Sequence, residues 1–452
     1  MQHSSKPVLF AALLGAICTT LAPAMAPAMA SDIVPTPKQI RSVLIKNATV
    51  HTVSQGVLSN TDVLIENGKI TAVGPQLTSQ TNSATAETSD TQVVDASGKH
   101  LYPGLIALDT SLGLVEIEMS RPTVDNAEVG YINPQISTAT AYNPDSELIP
   151  TIRFNGITHA QIVPSGDGIA GQSVLVNLDA WTIEDALTPS AGQFHVYWPQ
   201  IKRMPEDEKE KAKAIEKNQQ AIDQLNIAFE DGYRYFLSDK AKGKDNNKDE
   251  DPQSAINNLR WQAMLPLYQG KATLFAHADS VGQIEQVIAL TKKYQFKLVI
   301  VGGYDAWRLA SSLREVKAGV IYPHTLSLPK RKDEPVDLPF KIPALLANAG
   351  IPFALGFSSD WNSRNLPYAA GYSAAYDLTP EQALKSITLD AAKLLGVEDL
   401  GAIAVGYQGS VVLSEGDILD PMTNKIEAIW IEGRQIDLNN RHQQLYQKYL
   451  KR

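Results

Sequence analysis

The stretch KLVIV at residues 297–301 is a short, uninterrupted apolar run, and a helical pattern at 281–294 lies directly before it. Runs without polar alternation are typical of parallel strands that are covered on both faces. Roughly 290 residues of alternating strand and helix patterns therefore predict a single (β/α)8 barrel of the TIM type. Further runs of this kind occur at GLIAL (104–108), THAQIVP (158–164), TLFA (273–276), GVIY (319–322) and PFALG (352–356).

Strand patterns also occur at both ends of the chain, outside the predicted barrel. Residues 42–102 contain short β-rich runs, and the pair Asn67-Gly68 between two of them predicts a hairpin because both turn positions need a positive φ. Strand patterns return at 409–413 and 426–431. We expect the two end segments to pack together as one small β-sandwich domain.

The predicted organisation has a leader, two segments of the β-sandwich domain, a barrel between them and a terminal helix. Dense charges at 205–252 interrupt the barrel pattern and predict an exposed helix followed by a loop. This insertion is either a solvated segment or an arm that binds a partner. The predicted boundaries are 1–30 for the leader, 31–102 and 398–436 for the β-sandwich, 103–397 for the barrel and 437–452 for the helix.

The first thirty residues have the pattern of a secretory signal peptide. Lys6 precedes an apolar run at 7–17, and Ala28-Met29-Ala30 is a cleavage pattern of small residues. We expect cleavage after Ala30 and a secreted or periplasmic protein; an uncleaved membrane anchor is the alternative. No later segment has an uncharged apolar run near 18 residues, so we expect no membrane span after cleavage.

Composition excludes several classes of protein. The chain has 452 residues, of which 44% are apolar, so it is long enough to build a large core. Its net charge of −9 provides no basic field for nucleic acid. The only cysteine is Cys18, so neither an internal disulfide nor a cysteine-based zinc site can form. The motif at 166–171 matches G-x-G-x-x-G, but a strand pattern follows at 173–178, so we interpret it as a turn.

Four segments occur in an order that resembles the amidohydrolase superfamily. Residues 95–106 (DASGKHLYPGLI) are similar to the family's entry into its first barrel strand, and 356–360 (GFSSD) to its eighth strand. Residues 386–396 resemble its closing helix, and 401–412 its return strands. The similarity extends over roughly 42–436 and is greatest to the imidazolonepropionase-like subgroup.

This resemblance implies hydrolysis of C–N bonds, as in cyclic amides or short peptides, with one or two divalent metals. The family holds its metals with His-x-His after strand 1, a Lys or Glu on strand 4, histidines on strands 5 and 6, and an Asp on strand 8. Here strand 5 keeps His277 and strand 8 keeps Asp360, whereas Asp109 stands at the first His-x-His position and Gly302 on strand 6. The resemblance thus implies a reduced site for one divalent ion (Zn, Mn or Mg), with His277, Asp360 and Asp109 as its ligands.

The resemblance, together with positions at strand ends and side-chain chemistry, predicts roles for single residues. Asp360 and His277 are the predicted catalytic residues, and His324 and Arg364 are predicted to bind substrate, Arg364 by clamping a carboxylate. Structural alternatives stay open: His277 as a packed histidine, Asp360 as a loop cap, and Arg364 as a tie within its loop. His195 lies outside the strand-end pattern and receives no role.

Two functions follow from these observations. The first is an exported amidohydrolase-like hydrolase that acts on small amides or short peptides. The second is a catalytically inactive barrel that binds a ligand or a related partner enzyme, because the expected imidazoles are replaced. A homodimer is expected only because it is the commonest assembly.

Overall fold

The computed structural model describes residues 34–77, 91–242 and 252–452. The predicted signal peptide at 1–30 lies outside the described residues, as do residues 243–251 of the charged insertion. Within the described ranges, none of the helices combines the length and the continuous apolar character that a membrane span requires.

The described residues form sixteen strands and eleven α-helices. The strands are β1 (Val43–His51), β2 (Val57–Glu66), β3 (Lys69–Gly74), β4 (Gln92–Asp95), β5 (His100–Pro103), β6 (Leu105–Thr110), β7 (Ile157–Ile162), β8 (Gly168–Asn177), β9 (Leu187–Tyr197), β10 (Ala272–Ala278), β11 (Lys297–Gly302), β12 (Gly319–Tyr322), β13 (Phe353–Leu355), β14 (Val411–Ser414), β15 (Ile426–Ile431) and β16 (Arg434–Gln435). The helices are α1 (Ile149–Arg153), α2 (Ile183–Ala186), α3 (Glu208–Lys242), α4 (Pro252–Tyr268), α5 (Val281–Tyr294), α6 (Ala310–Glu315), α7 (Leu338–Asn348), α8 (Leu366–Ala374), α9 (Pro380–Ser386), α10 (Leu389–Leu394) and α11 (Arg441–Leu450).

The first sheet joins strands from both ends of the chain. Its order is β16-β15-β14-β5-β1-β2-β3, and β4 pairs with β1. The predicted hairpin between β2 and β3 is confirmed: the strands are antiparallel, and Asn67 (φ 50°) and Gly68 (φ 78°) form the turn. Ile45, Ile65 and Trp430 are fully buried in its apolar core. The two ends of the chain therefore depend on each other for their packing.

The second sheet contains β6 to β13 in chain order. Its apolar interior includes Ile106, Phe275, Val299 and Ile321, which alternate along their strands with residues that face the helices. The Phe357 N–H donates a 3.0 Å hydrogen bond to the Leu108 carbonyl, so the end of β13 approaches β6 and the sheet nearly closes. The predicted barrel with a separate β-rich domain is confirmed, while the exact domain boundaries stay a prediction.

One part of the barrel departs from strict strand–helix alternation. β8 is antiparallel to both β7 and β9, so these three strands follow one another as hairpins, with only the four-residue helix α2 between β8 and β9. The motif at 166–171 leads into β8 rather than into a helix, as predicted. β9 is therefore the fourth barrel strand, and the long helices α3 and α4 follow it.

The barrel helices pack closely against the return segment of the first sheet at Gly371. A Cβ at Gly371 would lie 2.1 Å from the Leu419 carbonyl oxygen, which is backbone and cannot rotate away. We expect Gly371→Ala to lower the free energy of unfolding by about 3 kcal/mol, because overpacking must displace the main chain. Gly282→Ala is the matched control, since nothing lies within 4 Å of its Cβ position in α5. It should gain up to about 1 kcal/mol. Urea denaturation of both variants measures these changes, and equal effects would contradict the predicted contact.

Candidate functional site

A cleft of about 890 Å³ opens at the carboxyl ends of the barrel strands. This is the face at which barrel enzymes place their active sites. Its floor and sides are formed by residues after β7, β9, β10, β11, β12 and β13, and one wall comes from α3. The lining residues used below are Tyr197, His277, Asp279, His324, Ser358 and, on α3, Lys217, Asn218 and Gln224.

Helix α3, which belongs to the charged insertion, forms one wall of the cleft. One face of α3 lines the cleft, because most of its lining residues recur at the helical spacing i, i+3, i+4, i+7 and i+10. These are Ala214, Lys217, Asn218, Ala221 and Gln224. Further along the same helix, Leu225 and Phe229 are buried. The insertion, predicted as a solvated segment or a partner-binding arm, thus contributes a wall of the cleft.

Asp109 is a buried carboxyl just beneath the cleft. The pairing of β6 with β7 is irregular between Ala107 and Thr110, and Asp109 has a positive φ of 60°, a conformation that Asp tolerates better than most residues. Such a bulge redirects a side chain. Burial raises the pKa of Asp109 to about 7, although the hydrogen bond that Ser358 Oγ donates to Oδ2 acts in the opposite direction. This carboxyl can therefore gain or lose a proton near neutral pH.

His277 lies beside Asp109 at the end of β10 and lines the cleft. Its Nδ1 is 4.0 Å from Asp109 Oδ1, its Nε2 is 3.0 Å from His195 Nδ1, and its ring stacks on Tyr197 at a centroid distance of 3.8 Å. Burial lowers the pKa of His277 to about 3 and holds the pKa of His195 well below its usual value. Both imidazoles are therefore neutral at pH 7.

A second polar cluster of the cleft is centred on Asp279, directly after β10. His324 Nε2 lies 2.9 Å from Asp279 Oδ1, and Lys330 Nζ lies 2.5 Å from Asp279 Oδ2. Burial opposes ionisation of Asp279, but the hydrogen bonds and charges of His324 and Lys330 outweigh it and lower the pKa of this carboxyl. His324 thus stands in the cleft, where its predicted role requires it.

Asp360 and Arg364 do not line this cleft. The Asp360 carboxylate accepts a 2.6 Å hydrogen bond from the Trp361 N–H and caps the short 3-10 helix Trp361–Asn365. Arg364 donates a 2.6 Å hydrogen bond to the Trp361 carbonyl, and its guanidinium lies 4.2 Å from the Trp361 ring centroid. These contacts correspond to the structural alternatives, Asp360 as a loop cap and Arg364 as a tie within its loop. The catalytic role of Asp360 and the substrate-binding role of Arg364 stay predictions.

The donor set does not fit the predicted divalent metal. Among the described residues, no three His, Cys, Asp or Glu side chains form a group that could hold an ion. His277 and Asp109 are neighbours, but Asp360 uses its carboxylate as a helix cap. A Cβ at Gly302 would lie 2.7 Å from Asp279 Oδ1, so the carboxylate occupies the space that a side chain on this strand would need.

Two residues of this site were not identified from the sequence. His195 lies on β9, and its signal was the spacing of Gln193, His195 and Tyr197 by two, which places three polar side chains on one face of a strand. The assumption of strict strand–helix alternation hid this strand. Ser358 belongs to the strand-8 motif and hydrogen-bonds to Asp109, whereas the family resemblance pointed to Asp360.

Comparisons with known proteins agree with this architecture. The model of the amidohydrolase family matches residues 340–436. A solved amidohydrolase from Thermotoga maritima MSB8 has a TM-score of 0.73 and 23% identity, and the match covers 87% of this chain and 99% of that one.

Two curated relatives are similar over different lengths. The amidohydrolase tasK of Hapsidospora irregularis is 23% identical over 395 residues, which is 82% of this chain and 39% of the relative. The imidazolonepropionase of Shewanella baltica (strain OS185) is 40% identical over 76 residues, which is 15% of this chain and 18% of that protein. The chain thus spans less than half the length of these relatives. Taken with the barrel and its strand order, these similarities support the amidohydrolase superfamily for this chain, and the family model itself matches residues 340–436.

Proposed function

We propose that the protein is an exported hydrolase that cleaves C–N bonds of small amides, cyclic amides or short peptides in the cleft above Asp109. One observation carries this proposal: a buried carboxyl with a pKa of about 7 is hydrogen-bonded to a serine that lines the cleft. Perturbed carboxyls at the carboxyl ends of barrel strands are typical of acid–base catalysis. The names of the similar proteins, amidohydrolase and imidazolonepropionase, support the same class of bond.

Asp109 would act as the proton acceptor and donor of the reaction. Its side chain is 3% exposed, whereas Ser358 lines the cleft and donates to Asp109 Oδ2. A proton released as water adds to the amide carbon would pass to Ser358 Oγ, while the Ser358 proton moves to Asp109. The reverse transfer would protonate the departing nitrogen, so the C–N bond breaks without releasing an unstable anion.

The other cleft residues would hold the substrate. His277 is neutral, so it can accept or donate one hydrogen bond without adding a charge to the floor of the cleft. His324 also lines the cleft and is held by Asp279. No step is assigned to a metal, because the described donors do not form a ligand set.

Replacing Ser358 tests the proposed proton transfer. The full chain is assayed against a library of cyclic amides, N-acyl amino acids and dipeptides. We expect Ser358→Ala to lower kcat about 10²- to 10⁴-fold because the link to Asp109 is lost. Ser359→Ala is the matched control: this neighbouring serine hydrogen-bonds to Asp360 and does not line the cleft. Turnover that survives in Ser358→Ala would contradict the mechanism, and no turnover by the wild-type chain would contradict the function.

The second candidate function is a ligand- or partner-binding barrel without catalysis. It is favoured by the lack of a metal-binding group among the described residues. The same library distinguishes the two, because a compound that raises Tm without being hydrolysed supports binding alone. Export after Ala30 is part of the first proposal, and N-terminal sequencing of the exported protein tests it. A homodimer or partner enzyme stays a prediction.

A further inference from the structure

A chain of hydrogen bonds runs through the barrel interior from Asp109 to His277. Its members are polar but uncharged side chains on β7, β8 and β9, and they stand where a barrel usually holds apolar layers. All are at most 6% exposed. The members are Gln161, Gln193, Ser173 and His195.

The direction of the first hydrogen bond is fixed by the backbone. The Asp109 N–H can only donate, and its acceptor is Gln161 Oε1 at 3.3 Å. The amide nitrogen of Gln161 therefore faces the other way and donates to Gln193 Oε1 at 2.7 Å and to Ser173 Oγ at 3.2 Å.

The next bonds leave Ser173 with one possible orientation. Gln193 Oε1 accepts from the Gln161 amide nitrogen, so the Gln193 amide nitrogen faces the other way, toward Ser190 Oγ at 2.9 Å. Ser173 Oγ is 2.6 Å from Gln193 Oε1 and must donate its only proton to it. The third partner of Ser173 Oγ, His195 Nε2 at 2.7 Å, must therefore be the donor.

The donor at His195 Nε2 in turn fixes which ring nitrogens of His195 and His277 donate and which accept. A neutral imidazole has one N–H and one acceptor nitrogen. Because His195 carries its proton on Nε2, its Nδ1 accepts, and the donor is the Nε2–H of His277 at 3.0 Å. His277 Nδ1 is then unprotonated, and it lies 4.0 Å from Asp109 Oδ1.

We propose that Ser173 and His195 are positioning residues that fix the tautomer of His277, so that its unprotonated Nδ1 stands beside Asp109 as a hydrogen-bond acceptor. With the opposite tautomer, an Nδ1–H would point at the Asp109 carboxyl and occupy the oxygen that Ser358 leaves available. The fixed tautomer instead leaves His277 Nδ1, on a residue that lines the cleft, as an acceptor for the N–H or water protons of a bound substrate. The catalytic meaning rests on the proposed function, whereas the tautomer itself does not.

Nitrogen-15 NMR of the full chain, labelled at histidine, tests this inference. Long-range proton–nitrogen correlation identifies which ring nitrogen carries the proton, and His277→Gln and His195→Gln assign the signals. We expect Nε2–H for both residues in the wild-type protein at pH 7. Ser173→Ala removes the acceptor of His195 Nε2, so both rings should change to Nδ1–H.

Two further variants complete the experiment. Ser173→Thr keeps the hydroxyl and should restore the wild-type tautomers. Ser190→Ala removes the hydroxyl that accepts from the Gln193 amide nitrogen but hydrogen-bonds to neither histidine. It should therefore leave the tautomers of both histidines unchanged. The inference is overturned if His277 of the wild-type protein carries its proton on Nδ1, or if Ser173→Ala leaves both tautomers as they were. Since the signals do not depend on turnover, an inactive wild-type protein would contradict the proposed function and not this inference.

If the proposed function holds, the same variants should separate kcat from KM. Ser173→Ala is expected to lower kcat at least about tenfold with a smaller change in KM, because the substrate still fits the cleft but meets a donor in place of an acceptor. Ser173→Thr should recover most of this loss, and Ser190→Ala should lose little. A loss of kcat that Ser173→Thr does not recover would contradict a positioning role for the hydroxyl.

Discussion

Asp109→Asn should abolish turnover and, at pH 8, make the protein more stable than the wild type. Burial raises the pKa of Asp109 from 3.8 to about 7, so the folded state holds this proton more tightly than the unfolded state does. Proton binding at Asp109 therefore contributes to the free energy of unfolding. This contribution is fully present below pH 3.8 and is lost as the pH rises through about 7. At pH 8 the ionised carboxyl costs on the order of 4 kcal/mol, which an uncharged amide of the same shape avoids.

The comparison of two pH values is the internal control for this prediction. Near pH 4 wild-type Asp109 is protonated when folded, so the stability difference between Asp109→Asn and the wild type should nearly vanish. Buried histidines such as His277, whose pKa is lowered to about 3, destabilise both proteins equally in acid and cancel in the difference. Asp279→Asn should have the opposite sign at pH 8, because its pKa is lowered by His324 and Lys330. Denaturant unfolding measures all three, and a gain at pH 4 equal to that at pH 8 would contradict the raised pKa.

Asp179→Asn is expected to destabilise the protein by about 3 to 5 kcal/mol, the largest loss predicted here. Asp179 Oδ1 lies 2.6 Å from Arg153 Nη1, and Oδ2 lies 3.2 Å from Arg434 Nη1, with side chains that are 1%, 4% and 10% exposed. Arg153 ends α1 beside the barrel, and Arg434 belongs to β16 of the first sheet. Removing this negative charge leaves Arg153 buried without its ion-pair partner, and it leaves Arg434 only the more exposed Glu432, 3.9 Å away.

The control for Asp179→Asn is the same substitution at an exposed ion pair. Asp399 pairs with Lys69 at 3.4 Å, and both side chains are about half exposed. Water and salt screen such a pair, so Asp399→Asn should change stability by less than about 1 kcal/mol. Denaturant titrations of the two variants make the comparison, and similar losses would show that the buried cluster does not stabilise the junction between the sheets.

The strand-8 motif was located correctly from the sequence, but the sequence did not indicate which of its side chains faces the cleft. The apolar run at 352–356 correctly located the end of β13, and residues 356–360 correctly located the strand-8 motif. Within that motif the family resemblance favoured Asp360, because the family has an Asp on strand 8. In the structure Ser358 reaches Asp109, while Asp360 caps the following 3-10 helix. Which residue of a short turn faces a cleft depends on backbone angles that composition does not specify.

The barrel, the paired end segments and the position of His277 at the tip of a strand could all be predicted from the sequence. These follow from local patterns: uninterrupted apolar runs such as 297–301, and the turn at Asn67-Gly68. Three features could not be predicted from the sequence: β8 runs antiparallel, His195 contacts His277, and the bulge at Asp109 buries a carboxyl against Ser358. Strand direction, long-range hydrogen bonds and burial are set by residues far apart in the chain, and the pKa of Asp109 depends on that burial rather than on its neighbours in sequence.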